Sequence, residues 1–475
     1  MQVQQDFQVN TAPAEHPDSH YQPLIDALPS WLGQISPAHR QALKASQPQL
    51  AAPSATPEQH QRLKALTVAH WTAQSAVDER LAHLRDASRF AEPLLKDALK
   101  NRFGLDLDVR STFVRLYIPV TVPGFAIQTG ARAWTVSLLD AALHNFEERE
   151  SADDAYESAS TFITAPSPTG QFDTLPLIQQ SLSIAAFIRL CREIDIGARY
   201  EAYLRESLGL SEPVGAAVLR LKINASQQAA LKAAVQLARM KGDLSEVYSR
   251  LIGGLADGLQ GMRINGQALR CHDLTMMSAR LTGILVFATD LQAATGASSV
   301  VAYIPDDPLH PIKEYASTTE MAGELTRQLR SRDYQQFFSR FIDHERLGAF
   351  FATLNSRLTQ VTWHEPVKGS ALPAWREEPI EPPNLQLVAT AFDGEMWQHL
   401  YQRKLDKILN DARTLAVPTA RVDQNARWAR WNALVSLAST IVQAAAFIVA
   451  PFVPVLGELM MGYMAYQLLD DAFEG

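Results

Sequence analysis

A chain of 475 residues with 47% hydrophobic and 20% charged side chains holds enough apolar material for two or three domains and falls outside the disordered and fibrous classes. Its formal net charge of −8, with no run dense in lysine and arginine, lacks the basic footprint of a nucleic-acid binder and makes DNA and RNA poor partners. Cys191 and Cys271, far apart and outside any Cys-x-x-Cys pair, indicate neither a zinc ribbon nor a disulfide framework and read as buried thiols.

Met1 to His20 carries Gln, Asp, Glu and Pro where a signal peptide has a positive start and an apolar core, so export through a cleaved signal is not expected. Residues 1–56 are rich in Pro, Gln, Ser and Ala around one apolar stretch, Leu24 to Leu32. They read as a flexible tail, too poor in apolar surface to offset the entropy of ordering. Thr56-Pro57-Glu58-Gln59 then supplies an N-cap, a proline at the first helical position and a capping-box glutamine. The stripe Leu63, Leu66, Ala73, Val77, Leu81, Leu84, Ala91, Leu95 and Leu99 recurs at three- and four-residue steps, which predicts a helix stopped by Gly104. Pro93 lies inside it and predicts a kink or break there, because proline lacks an N–H and clashes with the preceding turn.

From Thr112 to Val136, Val114, Leu116 and Ile118 alternate with Phe113, Arg115 and Tyr117, and Gln128-Thr129-Gly130 is expected to turn the chain into a second strand, a small hairpin. Helices are predicted over Ser137–Glu148, Ser183–Leu208, Ala225–Lys241 and, behind Gly242, Asp243–Leu259. Gly253, Gly254 and Gly258 in the last of these are expected to allow close helix packing. Ile284–Phe287 and Val300–Ile304 predict two short antiparallel strands. Ser317-Thr318-Thr319-Glu320 is a capping box opening another helix. The aromatic run through Phe337, Phe338, Phe341, Phe350 and Phe351 is assigned to a core. Prolines 366, 373, 379, 382 and 383 mark a loop or strap that helix cannot cross, and the final helical block starts near Glu395. The reading is mainly α with small β hairpins (α+β): an irregular multi-helix domain over 57–394, a helical connector over 395–430, and a hydrophobic helical hairpin over 431–475.

That last segment is singular. Between Arg430 and Asp470 the only charged residue is Glu458, so the stretch approaches transmembrane character. Ala433 to Ala450 is about long enough for one span; Pro451, Pro454 and Gly457 break it, and Leu459 to Leu469 is too short for a second. A helical hairpin or re-entrant segment is expected, with Phe447 and Phe452 among its insertion candidates. Arg427, Trp428, Arg430 and Trp431 place cationic and aromatic side chains at its entrance, where headgroups would receive them. Glu458, beside the turn, would be neutralised by acidification, lowering the cost of insertion. Asp470 and Asp471, with Glu474, form a pH-sensitive cluster if the second helix crosses. The alternative is a soluble scaffold or autoinhibitory module whose hairpin packs against the body of the protein, a partner or a downstream domain.

Catalytic signatures are absent from the sequence. Cys271-His272-Asp273 has the residue types of a cysteine triad, but adjacent residues cannot supply its geometry. Asp343-His344-Glu345 looks like the start of a metalloprotease motif, but Gly348 stands where the second histidine belongs. There is no Gly-x-Ser-x-Gly elbow, Walker loop or dinucleotide fingerprint. No catalytic, cofactor or metal residue is assigned and enzymatic activity is not expected of this chain; a hydrolase built on Cys271 or His344 is the reading this leaves aside.

Several runs carry a resemblance: Leu28-Pro29-Ser30-Trp31-Leu32, Trp134-Thr135-Val136-Ser137-Leu138-Leu139-Asp140, Gly170-Gln171-Phe172-Asp173-Thr174-Leu175-Pro176, Arg270-Cys271-His272-Asp273-Leu274 and Val301-Ala302-Tyr303-Ile304-Pro305-Asp306-Asp307-Pro308. Through them the chain resembles the dermonecrotic toxin N-terminal domain family, found at the front of very long bacterial toxin-like polypeptides. The resemblance implies a non-catalytic delivery module of a virulence protein and transfers no active-site residue. It implies effector activity in a downstream toxin domain absent from this chain, and a host or target-cell membrane as partner. The protein would be cytoplasmic in the producing cell, secreted without a cleaved signal peptide, and then membrane-associated.

Overall fold

The computed structural model describes residues 55–121, 128–289, 291, 299–365 and 374–422. The tail up to residue 54 and the hydrophobic segment from 431 onward lie outside the described residues.

Helix α1 (Pro57–Leu81) opens as the capping box requires: the Gln59 amide donates to the Thr56 hydroxyl, and the Thr56 amide donates to Gln59 Oε1 at 2.8 Å. The break comes before Pro93, not at it. Helix α2 (Ala87–Phe103) starts at Asp86, whose carboxylate accepts from the Arg89 amide at 2.8 Å, and continues through Pro93 to a left-handed Gly104. Proline costs about 3 kcal/mol inside a helix. Here Ala91, Leu95 and Leu99 are fully buried along the stripe, and a buried leucine stabilises by about 1.5–3 kcal/mol, which is enough to carry the helix across.

Strands β1 (Thr112–Thr121) and β2 (Gln128–Ser137) pair antiparallel, with Val114 opposite Val136 and Leu116 opposite Trp134. Gln128 and Gly130, expected in the turn, are instead paired within β2, opposite Thr121 and Val120; longer pairing satisfies backbone groups that an earlier turn would leave open. Helix α3 (Leu138–His144) follows directly, capped by Ser137. Strand β3 (Thr161–Thr164) adds to the other edge of β1, in the order β2-β1-β3.

Helices α4 (Pro176–Ser181), α5 (Ile184–Ile194) and α6 (Ile196–Ser207) come next. The single helix expected over 183–208 is divided because Asp195 adopts a left-handed conformation (φ 44°), closing α5 and capping α6. Aspartate tolerates that region by local hydrogen bonding. Helix α7 (Pro213–Lys241) starts earlier than its alanine-rich part, at Pro213, and ends at left-handed Gly242. Helix α8 (Glu246–Ala256) is capped by Ser245. Of its glycines, Gly254 packs against Leu259 and Met262, which a Cβ would meet at 3.4–3.5 Å, whereas a Cβ on Gly253 would meet open space and Gly258 (φ 82°) lies past the helix end.

After a tight β4 (Arg263–Ile264) and β5 (Gln267–Ala268) hairpin come β6 (Arg270–Met276), β7 (Ala279–Ala288), β8 (Val300–Tyr303) and β9 (Ile312–Tyr315). Helices α9 (Thr318–Leu329), α10 (Arg332–Phe338) and α11 (Leu347–Leu358) lead to strands β10 (Thr359–Trp363), β11 (Trp375–Pro379) and β12 (Leu387–Ala391), then to helices α12 (Met396–Leu415) and α13 (Thr419–Val422). In place of two short strands there is a five-stranded antiparallel sheet ordered β12-β6-β7-β8-β9. The proline-rich strap also holds structure, since β10 and β11 pair with Trp363 opposite Trp375, both exposed.

The sheet separates two cores, because successive side chains of β7 point to opposite faces. Ile284 and Val286 join α9, α10 and α11, where Phe338, Phe341 and Phe350 are buried as the aromatic run implied, while Leu285 and Phe287 join α7, α8 and the start of α12. A further core unites α2, β1, α3, α5 and α6. Helix α12 links two of these cores: Trp397 and Leu400 lie in one, and Leu405, Ile408 and Ala412 in the other. The protein is thus mainly α, of α+β class, with antiparallel sheets.

Candidate functional site

Helix α12 is buried around most of its circumference, and two of its lysines therefore face protein. Lys404 follows Trp397 and Leu400 at helical spacing and lines an open cleft. Helices α1 and α7, strands β7 and β8 and the 3-10 turn Ser339–Phe341 close the other sides. Val77, Ile223, Phe341, Trp397 and Leu400 supply apolar walls; Gln227, Asp306, Arg340 and Lys404 supply polar ones. Ser226 Oγ donates to Gln74 Oε1 at 2.6 Å, and Gln74 Nε2 donates to Asp78 Oδ1 at 2.8 Å, which ties α1 to α7 behind the cleft.

Electrostatically the cleft is cationic. The Arg340 guanidinium lies 3.5 Å from the Asp306 carboxylate and 4.9 Å from the Phe337 ring centroid. Burial pushes Arg340 below its ordinary value, with Asp306 opposing. Burial also pushes the Lys404 ammonium down to about 8; Asp306 works against this and Arg340 adds to it. Gly283 on β7, which its φ of 95° suits to glycine, lies beside the Lys404 stem, where a Cβ would make an ordinary contact with Cε at 3.6 Å. The sequence carried one sign of this site, a lysine on the apolar stripe of a helix, and it was missed.

The membrane-insertion candidates Trp428, Trp431, Phe447, Pro451, Phe452, Pro454, Glu458, Asp470 and Asp471 all lie outside the described residues. Among the described residues no helix is long and apolar enough to cross a membrane, and no cluster of three or more His, Cys, Asp and Glu is arranged to hold a metal ion. Cys271 and Asp273 share one face of β6 and His272 takes the other. The Cys271 thiol sits 3.8 Å from the Met396 sulfur, and burial pushes it up to about 12, the reverse of an activated nucleophile. Asp273 instead accepts from His399 Nε2 at 2.9 Å, and the His399 ring stacks on Phe392 at 3.8 Å. The Cys191 thiol is buried and likewise pushed up.

His344 is buried where the turn His344–Arg346 meets α12. Its backbone N–H donates to Asp411 Oδ1 at 2.8 Å, and Asp411 Oδ2 accepts from Lys407. Burial and the Lys407 charge hold the imidazole down at about 4, against an ordinary 6.5. A folded state that protonates less readily than the unfolded chain loses stability as pH falls from 6.5 toward 4. This loss reaches about 2.5 kcal/mol at about pH 4.5. Urea midpoints of His344→Asn are expected to fall less between pH 7.5 and 4.5 than those of the native chain; identical falls would refute the assignment.

Comparison with known proteins places this architecture. No curated protein matches the chain. Residues 81–345 match the family model described as the dermonecrotic toxin N-terminal domain. The matched stretch runs from the end of α1 to the turn that meets Asp411, and it includes Gln227 and Arg340 but not Lys404. As that match covers more than half of the 475 residues, and includes both the three-stranded sheet and four strands of the larger one, the chain belongs to the dermonecrotic toxin N-terminal domain family.

Proposed function

We propose that this chain is the non-catalytic delivery module of a dermonecrotic-toxin-like virulence protein and engages a target-cell membrane through the segment between Trp431 and Leu469. The observation that carries this reading is the charge pattern. A stretch holding Glu458 as its only charged side chain between Arg430 and Asp470 is costly to expose to water and inexpensive to place in lipid once that carboxyl is neutral. Membership of a toxin domain family supports secretion and a toxin-like role. Val422, the last described residue before the segment, is fully buried. Effector chemistry belongs to a downstream domain.

Liposome flotation tests this. The full chain is expected to float with anionic vesicles more at pH 5 than at pH 7.5, a version ending at Arg430 to remain at the bottom at both, and Glu458→Gln to float at pH 7.5 as the native chain does at pH 5. Equal partitioning of full-length and shortened chains at both pH values would overturn the proposal.

A further inference from the structure

Apart from any role at a membrane, the cleft under α12 has the composition of a ligand site. Three of its polar side chains are left wholly or partly unsatisfied by the fold, Arg340 keeping its ion pair with Asp306. Among the described residues Lys404 makes no hydrogen bond or ion pair, Gln227 has both Nε2 and Oε1 buried without a hydrogen-bond partner, and Arg340 Nε is in the same condition. Buried polar groups are ordinarily paired, and an orphan costs about 1–3 kcal/mol. These three come from α7, the turn after α10 and α12, elements far apart in sequence, yet all line one cleft.

We propose that this cleft binds a small organic carboxylate with an apolar body. Arg340 and Lys404 would take the carboxylate, the Gln227 amide would donate to it or to a polar substituent, and Trp397, Val77 and Phe341 would receive the body. The charge count selects a monoanion. Two cations stand against the single carboxylate of Asp306 among the lining residues, so one negative charge neutralises the cleft, while a phosphate dianion would leave excess charge in a desolvated space. The apolar walls favour a ligand that is more than a bare ion.

The titratable groups facing Lys404 are Asp306, Arg340, His70 and Tyr303. Tyr303 is pushed up by burial and remains neutral through the relevant range. Binding is therefore expected to weaken as the Lys404 ammonium, lowered to about 8, loses its proton.

Benzoate serves as the probe, with benzyl alcohol and inorganic phosphate as controls, titrated calorimetrically into the full chain at pH 7 and pH 9. The expected result is saturable benzoate binding at pH 7, about tenfold weaker at pH 9, no saturable binding of benzyl alcohol, and phosphate at least tenfold weaker than benzoate. Lys404→Met keeps the stem and removes the charge. It is expected to bind benzoate at least tenfold more weakly at pH 7 and to lose the pH dependence, with circular dichroism and urea midpoint showing that it is folded. Gln227→Leu, which fills the same space, is the second variant and should weaken binding severalfold. Absence of benzoate binding at millimolar concentration, equal affinity in Lys404→Met, or phosphate preferred over benzoate would each overturn the proposal. None of these outcomes bears on flotation with vesicles, so the two readings fail separately.

Discussion

Asp411→Ala is expected to destabilise the protein by roughly 3–5 kcal/mol, the cost of breaking one side of a buried ion pair. Asp411 is 0% exposed and Lys407, one helical turn before it, is 3% exposed. Removing the carboxylate leaves a buried ammonium without its partner and removes the acceptor for the His344 amide. Burial pushes the Asp411 carboxyl up, while Lys407 and the His344 backbone N–H oppose it. The double change Lys407→Met with Asp411→Leu should recover the part of the loss that comes from the unpaired ammonium, because two apolar residues of similar volume carry no charge to desolvate, while the His344 amide still lacks its acceptor. Urea unfolding of the two variants measures this. A single variant within about 1 kcal/mol of the native chain would show that the pair is not an energetic anchor of α12.

Gly197→Ala should act as strongly by another route. Its Cβ would stand 2.3 Å from Pro418 N and Val417 C, and 2.6 Å from Val417 O, distances that force α6 or the 417–418 backbone to move. The latter is held on several sides. Val417 N–H donates to Leu143 O at 2.8 Å, Asn145 Nδ2 donates to Val417 O at 3.2 Å and to Thr419 Oγ1 at 2.9 Å, and Thr419 N–H donates to Asp195 Oδ1 at 2.9 Å. Giving up four such bonds at about 1 kcal/mol each sets an expected loss of about 3–4 kcal/mol. Hydrogen exchange should show the amides of Val417 and Thr419 losing protection before the rest of the molecule opens. Unchanged protection at both, with an unchanged urea midpoint, would show that the contact is soft. This lock fixes the last described stretch of the chain to helices α3 and α6 and the residues around them.

Features written in neighbouring residues were legible. Thr56 to Gln59 spells a capping box and Gly104 a helix stop, and both are found, because each is decided by atoms within one turn. The alternation of Val114, Leu116 and Ile118 named a strand, and the Phe337 to Phe351 run named a core. The larger sheet was not legible. Strand β6 offers mixed residues that resemble a reactive cluster, β9 is four residues long, and β12 finds its partner β6 only after more than a hundred intervening residues. Pro93 predicted a break that burial of Ala91, Leu95 and Leu99 overrode. The helix break at Asp195 rests on one residue entering the left-handed region, which composition does not announce.

The candidate sites divide along the same line. The hydrophobic segment with Glu458 inside it is a property of consecutive residues, and hydropathy along the chain is enough to mark it. The cleft of Arg340, Gln227 and Lys404 is not. Each is an ordinary polar residue on its own element, and only the convergence of α1, α7, the sheet and α12 gives them one low-dielectric space. The sequence by itself therefore determined the caps, the main helical runs, the family words and the apolar terminus, all governed by short-range chemistry. Tertiary structure decided which charges are desolvated together, because burial depends on neighbours that the chain brings back from hundreds of residues away.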